Sequence, residues 1–242
     1  MNLCIDQGNS STKAGLFESD ELVGQHLFEK FDQQEINFLF KKYNINNCIL
    51  SSVILRNDKI IDILKNKTSY FIELTQYTPI PIKNKYKTPE TLGKDRLAAV
   101  IGANFIKPDS ALLIIDAGTA ITYDFIDAEN TYHGGNIAPG INLRLRSLHE
   151  FTKKLPLVEP NIDSPLLGDD TKSAIISGAI HGIVFEIDGY INTLKIKYPK
   201  LSTFLTGGSF FYFDTKLKNA IFAERNLVLI GLNRILQYNV QK

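Results

Sequence analysis

Two short stretches of this chain place an aspartate at the end of an apolar run and a glycine two residues later. The first reads Leu3-Cys4-Ile5-Asp6-Gln7-Gly8-Asn9-Ser10, followed by Ser11-Thr12-Lys13. The second reads Leu112-Leu113-Ile114-Ile115-Asp116-Ala117-Gly118-Thr119, followed by Ala120-Ile121-Thr122. An apolar run ending in turn residues predicts a buried strand that enters a tight hairpin. Glycine admits positive φ and lets backbone N–H groups come close to a ligand. The carboxylate offers an oxygen to a cation, with hydroxyl groups beside it. A nucleoside triphosphate and its metal ion require this set of groups. One Asp-x-Gly turn is equally at home as a plain hairpin. Two copies with hydroxyls at matching places point to two related halves that face each other across a cleft.

A third stretch carries different chemistry. Phosphoryl transfer needs an in-line nucleophile, neutralisation of charge and a group that orients the attacking hydroxyl. Asp95, inside Gly93-Lys94-Asp95-Arg96, is a candidate for that group, and Arg96 can fork onto a carboxylate or phosphate. Asp at a helix start also serves as a cap, and the residues alone leave both roles open. They also leave Thr12 and Lys13 open as a solvated strand face, and Asp116 as a turn residue or a second Mg²⁺ ligand. The four histidines, His26, His133, His149 and His181, show no metal-ligand spacing.

These groups need elements to hold them. Strands are expected at 2–6, 14–17, 22–28, 48–53 and 70–74, with helices at 33–43, 57–65 and 95–105 between and after them. A loop rich in Pro and Lys fills 78–93. The second half opens with its own hairpin. A strand at 131–133 then leads into a Gly-Gly loop, a helix at about 141–151, a long helix at about 172–197, a strand at 201–205 ending in Thr206-Gly207-Gly208, and a last helix at about 227–237. The class is α/β with mixed sheets, divided into 1–108 and 109–242.

The chain has 242 residues, 44% of them apolar and 22% charged, with a net charge of +1. This is the composition of a globular protein with a good core and no global field to recruit nucleic acid or an anionic membrane. Cys4 and Cys48 lie in apolar runs and read as buried free thiols in a reducing compartment, so a cytoplasmic protein is expected. The N-terminus lacks the pattern of a signal peptide. The longest apolar stretch, 174–187, contains His181 and Glu186 and is too short to span a bilayer.

Strand, Asp-Gly hairpin and strand, twice over, plus a late strand ending in Thr-Gly-Gly, resembles the actin, sugar-kinase and chaperone-ATPase superfamily. The resemblance implies two ribonuclease-H-like halves flanking a nucleotide cleft. Four segments in order narrow it: Asp6-Gln7-Gly8-Asn9-Ser10, Tyr86-Lys87-Thr88-Pro89-Glu90-Thr91-Leu92-Gly93-Lys94-Asp95-Arg96, Asp116-Ala117-Gly118-Thr119-Ala120 and Gly134-Gly135-Asn136-Ile137-Ala138-Pro139-Gly140. Together they resemble type III pantothenate kinase over essentially the whole chain. The resemblance implies phosphorylation of pantothenate by ATP, the first step of coenzyme A synthesis, with Asp95 as proton acceptor. It implies that Tyr86, Gly93, Lys94, Asp95, Arg96 and Thr171 contact pantothenate. Asp6, Gln7, Gly8, Asn9, Ser10, Ser11, Thr12, Lys13 and Thr119 would bind ATP. Asp116 would hold a monovalent cation, K⁺ or NH₄⁺, and Asp6 would be a Mg²⁺ ligand. It also implies a homodimer, which Gly178 and Gly182 on the long helix would allow to pack closely. The alternative is a non-catalytic nucleotide-binding regulator of the same fold, against which Asp95 and Arg96 argue. Ser10 replaces a usual Thr, and Ser209 stands where the family commonly has Asp.

Overall fold

The computed structural model describes residues 1–8 and 11–241. The expected ATP contacts Asn9 and Ser10 lie outside them. The chain divides into two compact units, 1–108 with 130–132 and 226–242, and 109–129 with 133–225.

The first unit is built on a sheet of β1 (Asn2–Gln7), β2 (Thr12–Glu18), β3 (Glu21–Phe28), β4 (Asn47–Ser52) and β5 (Tyr70–Glu73) in the order β3-β2-β1-β4-β5. β1, β2 and β3 are antiparallel, while β4 and β5 run parallel to β1. On one face Leu3, Ile5, Leu16 and Leu50 pack against Ile36 and Leu39 of α1 (Gln33–Lys42) and Ile60, Ile61 and Leu64 of α2 (Asp58–Lys67). Alternation along each strand sends these residues to one face and Cys4 and Asp6 to the other. Both helices start on side-chain caps. Asp32 accepts from Gln34 N–H at 2.8 Å while its own N–H donates to Glu35 at 3.1 Å, and Asn57 accepts from Ile60 N–H.

α3 (Lys94–Ile106) and α6 (Leu227–Val240) also belong to this unit. They cross with no side chain between them. A Cβ on Gly231 would lie 1.8 Å from the Ala98 carbonyl oxygen, and one on Gly102 2.3 Å from that of Leu227. The last helix, grouped by sequence order with the second half, packs here because its two faces match α3 and the sheet. A short strand, β6 (Lys83–Asn84), pairs with Thr131 and Tyr132 inside the stretch expected to be loop.

The second unit repeats the order. Its strands are β7 (Leu112–Ala117), β8 (Ala120–Ile126), β9 (Thr131–Pro139), β10 (Ser202–Thr206) and β11 (Phe222–Ala223), arranged β11-β10-β7-β8-β9. β8 is antiparallel to β7, and β10 is parallel to it. α4 (Ile141–Glu150) follows β9, and α5 (Thr171–Lys197) lays Ile180, Ile183, Val184, Ile187 and Ile191 against Leu113, Ile115 and Tyr123. At 27 residues α5 is long and apolar enough to cross a membrane by composition. The apolar residues of this helix form the core of the second unit. β9 corrects an expectation, since it runs on through Gly134-Gly135 to Pro139 instead of ending at His133. Two glycines permit this: Gly134 has φ of +99°, and a Cβ on Gly135 would collide with the Tyr123 carbonyl.

Candidate functional site

Asp6 and Asp116 occupy equivalent places, each the last but one residue of the central strand of its sheet. Each has a hydroxyl residue in register on the neighbouring parallel strand, Ser51 beside Asp6 and Thr206 beside Asp116. Across the hairpin Asp6 faces Lys13 and Asp116 faces Thr122. The hairpins differ in length. Gln7 pairs with Thr12, leaving four residues between them, whereas Ala117 pairs with Ile121, leaving three. In both loops the glycine N–H turns inward, that of Gly8 to the Ser11 carbonyl and that of Gly118 to the Ala120 carbonyl, each at 3.0 Å.

Beyond Asp6 the first unit assembles a polar end to its sheet. Ser52 Oγ donates to Gln7 Oε1 at 3.0 Å, and Lys94 Nζ donates to the Ser52 carbonyl at 3.3 Å. The Gly93–Arg96 segment is thereby fastened to the carboxyl ends of β1 and β4. The N-cap of α3 is Gly93, and no side chain caps it. Asp95 sits in the first turn, its Oδ1 accepting from Arg96 N–H at 2.8 Å. Gly93 and not Asp95 is therefore the N-cap, while the Asp95 carboxylate satisfies one of the free N–H groups of the first turn. Its carboxylate also explains Gly93, where a Cβ would stand 2.5 Å from Asp95 Oδ1. Negative charge in the first turn of a helix is favoured by the exposed N–H groups there.

Arg96 is buried, with its guanidinium 5.7 Å from the centre of the Tyr86 ring. Tyr86 is held in turn by Asn84, which accepts from its N–H at 2.9 Å, and by a near-parallel stack on Tyr132. A planar cation against an aromatic face keeps its fork rigid. A cavity of about 320 Å³ opens beside Tyr86 and Lys94, lined also by Thr75, Asn84, Glu90 and Leu97. The structure thus brings Gln7, Tyr86, Lys94, Asp95 and Arg96 into one connected set. Gly8, Ser11, Thr12 and Lys13 lie in or just beyond the hairpin at its edge.

The remaining expected residues lie in the second unit. Asp116 Oδ1 lies against the Gly207 turn, where φ is +98° and a Cβ would come within 2.5 Å of that oxygen. Ser209 N–H closes the turn onto the Ala117 carbonyl at 2.9 Å. Thr119 is exposed at the hairpin tip, and its carbonyl accepts from Gly140 N–H at 3.0 Å. Thr171 is exposed as the first residue of α5, whose N-cap Asp170 accepts from Lys172 and Ser173 N–H.

Among the described residues no three His, Cys, Asp or Glu side chains converge as a metal cage. Asp6 and Asp116 are single carboxylates, a donor set that fits an ion completing its shell with phosphate oxygens and water. Burial pushes the thiols of Cys4 and Cys48 well up, which removes them as nucleophiles.

Residues 2–193 match the family model of type III pantothenate kinases. The chain belongs to that family. It is 49% identical over 239 residues to a type III pantothenate kinase of Phocaeicola vulgatus, covering 99% of each chain, and 47% identical to one of Bacteroides fragilis, covering 99% of this chain and 98% of that one. Among solved structures it resembles a Campylobacter jejuni protein described as a Baf family transcriptional activator, with TM-score 0.63 at 23% identity, covering 99% of this chain and 100% of that one. It also resembles a glucokinase from an Antarctic psychrotroph, with TM-score 0.52 at 11% identity, covering 98% of each. These two establish the fold alone, the α/β architecture with mixed sheets shared with sugar kinases. Ser51 and Ser52, which the sequence alone did not single out, stand beside Asp6 and Gln7 at this end of the first sheet. Their signal is an apolar strand, Cys48–Leu50, ending in two polar residues as β1 ends in Asp6-Gln7. The Ser51 hydroxyl is fully buried and has no hydrogen-bond partner among the described residues.

Proposed function

We propose that this chain transfers the γ-phosphoryl group of ATP to the primary hydroxyl of pantothenate, the first step of coenzyme A synthesis. Asp95 orients the hydroxyl and accepts its proton as the bond to phosphorus forms. The observation that carries this role is the placement of Asp95, in the first turn of α3 beside an uncapped Gly93 and fastened to the sheet by Lys94. The transition state of phosphoryl transfer is loose, so holding the hydroxyl in line is a large part of the task. Arg96, pressed on Tyr86, is assigned the pantothenate carboxylate or the transferring phosphate. Gly93, Lys94 and Thr171 complete the pantothenate contacts.

ATP is assigned to the first hairpin, residues 6–13, and to Thr119. Mg²⁺ belongs with Asp6 and the phosphates, where it would neutralise charge on the transferring group. A monovalent cation, K⁺ or NH₄⁺, belongs with Asp116. The enzyme is assigned to the cytoplasm, in keeping with two buried free thiols. A homodimer is supported by α5, on which Gly178 stands in open space and Phe185 is exposed, while a Cβ on Gly182, the other glycine expected in the strip, would lie 3.7 Å from Arg144 Nη1 of the same chain. Functional divisions at 1–108 and 109–242 follow the two hairpins.

The test is a steady-state assay with ATP, Mg²⁺, K⁺ and pantothenate, following ADP and phosphorylated product. Turnover with pantothenate and none with sugars is expected. Absence of turnover with pantothenate would overturn the proposal.

A further inference from the structure

We infer that Glu186, on the long helix α5, is a positioning residue that sets the second hairpin for ATP. Its two carboxylate oxygens are used separately. Oε1 accepts from the Tyr123 hydroxyl at 2.7 Å, and Oε2 accepts from Arg144 Nη2 at 2.6 Å. Each partner leads to the hairpin by a short route. Tyr123 is on β8, the strand that leaves the hairpin four residues after Thr119. Arg144 donates from Nε to the Pro139 carbonyl at 2.8 Å. Pro139 precedes Gly140, whose N–H donates to the Thr119 carbonyl at 3.0 Å.

Gly140 is the seat on which the hairpin tip rests. A Cβ there would lie 2.3 Å from the Gly118 carbonyl oxygen and 2.5 Å from that of Thr119. The tip and its seat touch backbone to backbone, so a small shift of Pro139–Gly140 moves Gly118 and Thr119 directly. One carboxylate therefore ties down both the outgoing strand and the seat. The ion pair is about three-quarters shielded, with Arg144 and Glu186 side chains 21% and 27% exposed, and both oxygens are bonded, so its geometry is well held. Tyr123 adds a second hold on α5 through its ring, 4.3 Å from that of Tyr190. None of these side chains needs to touch a substrate. Their effect is transmitted through the carbonyls of Pro139 and Thr119.

The inference rests on the reading of the second hairpin as an ATP contact, and its test separates the two. In Glu186→Ala the KM for ATP should rise about tenfold, with kcat at saturating ATP within about twofold and the KM for pantothenate unchanged. Glu186→Gln should recover most of the loss, because the amide oxygen still accepts from Arg144 and its NH₂ can donate to the Tyr123 oxygen. Hydrogen exchange of the Gly140 amide, measured without nucleotide, should quicken about tenfold in Glu186→Ala. Arg144→Met, which leaves the Tyr123–Glu186 bond in place, should act in the same direction and serves if Glu186→Ala fails to fold. Unchanged exchange at Gly140 together with an unchanged KM for ATP would overturn the inference. Faster exchange with an unchanged KM for ATP would also overturn it if Asp116→Asn does raise that KM. If Asp116→Asn leaves the KM for ATP untouched as well, the assignment of the hairpin to ATP fails with it.

Discussion

Lys94 donates its ammonium to the backbone carbonyl of Ser52 at 3.3 Å, joining the start of α3 to the end of β4. The same Ser52 donates from its hydroxyl to Gln7, the residue after Asp6. The segment carrying Asp95 is thus located by the strand ends that carry the first hairpin. In Lys94→Met the segment loses that tether while keeping the length of the side chain. We expect kcat/KM for pantothenate to fall about 10- to 100-fold, the scale of a small misplacement of a reacting group. The KM for ATP should change little. Initial rates with each substrate varied in turn check the split.

Asp95→Asn removes the proton acceptor and keeps the shape. The amide oxygen of Asn can still accept from the Arg96 N–H at the start of α3, so folding should be nearly intact. A kcat lower by roughly 10²–10⁴ is expected, the usual worth of a positioned base. A near-wild-type rate, measured on protein with an unchanged melting curve, would sink the assignment.

Asp116 predicts a need for a monovalent cation. Its carboxylate and a triphosphate repel when brought near, by about 4 kcal/mol at about 4 Å and an effective dielectric of about 20. An ion between them turns that repulsion into a bridge. With Mg²⁺ held constant in a Tris or Na⁺ buffer, adding K⁺ or NH₄⁺ should lower the KM for ATP strongly in the wild type and weakly in Asp116→Asn. A wild-type enzyme that is fully active without either ion would show the carboxylate to be misread.

Gly231→Ala tests how the last helix is held. The added Cβ would stand 1.8 Å from the Ala98 carbonyl oxygen, which is backbone and cannot rotate away. The helices must separate, and the loss should be about 3 kcal/mol, the upper range for an overpacked core. Urea unfolding of the two proteins at equal concentration measures it. A difference within about 0.5 kcal/mol, the range of ordinary surface changes, would mean that the crossing is looser than its glycines indicate.

Asp32 predicts a pH dependence. Hydrogen bonds from the first turn of α1, chiefly the Gln34 N–H, hold its carboxyl at about 2, down from 3.8. A lowered folded-state value means that the cap stabilises above the unfolded value and is lost as pH falls through the folded one. The melting-temperature gap between wild type and Asp32→Ala should be level above about pH 5 and should close between about pH 4 and pH 2. Asp32 is solvent-facing, so added salt should narrow the gap at neutral pH. A gap that is constant down to about pH 2 would contradict the cap's charge.

Features that depend on neighbours along the chain were legible in the residues. Strands such as Asn2–Gln7 and Leu112–Ala117 and helices such as Gln33–Lys42 follow from residue periodicity and end signals, which act over a few residues. The repeated Asp-x-Gly stretches announced two related halves, and the five-strand order of the first sheet recurs in the second, which has β6 as a sixth strand beyond β9. The Gly93–Arg96 segment was legible as chemistry because charged residues and glycine at a helix start are local as well. Which distant residues meet emerged only on folding. Ser51 and Ser52 come beside Asp6 and Gln7 only when β4 pairs with β1, across 45 residues of chain. α6 joins the first unit because Gly102 and Gly231, far apart in sequence, let two backbones touch. β9 runs through Gly134-Gly135 because the Tyr123 backbone lies against it, although the glycines alone read as a loop. Where α3 begins made Gly93 and not Asp95 its N-cap, and Glu186 gained its partners on β8 and α4 through packing across the second unit. Periodicity carries no information about such pairings, because the contact energy depends on positions that only the folded chain defines.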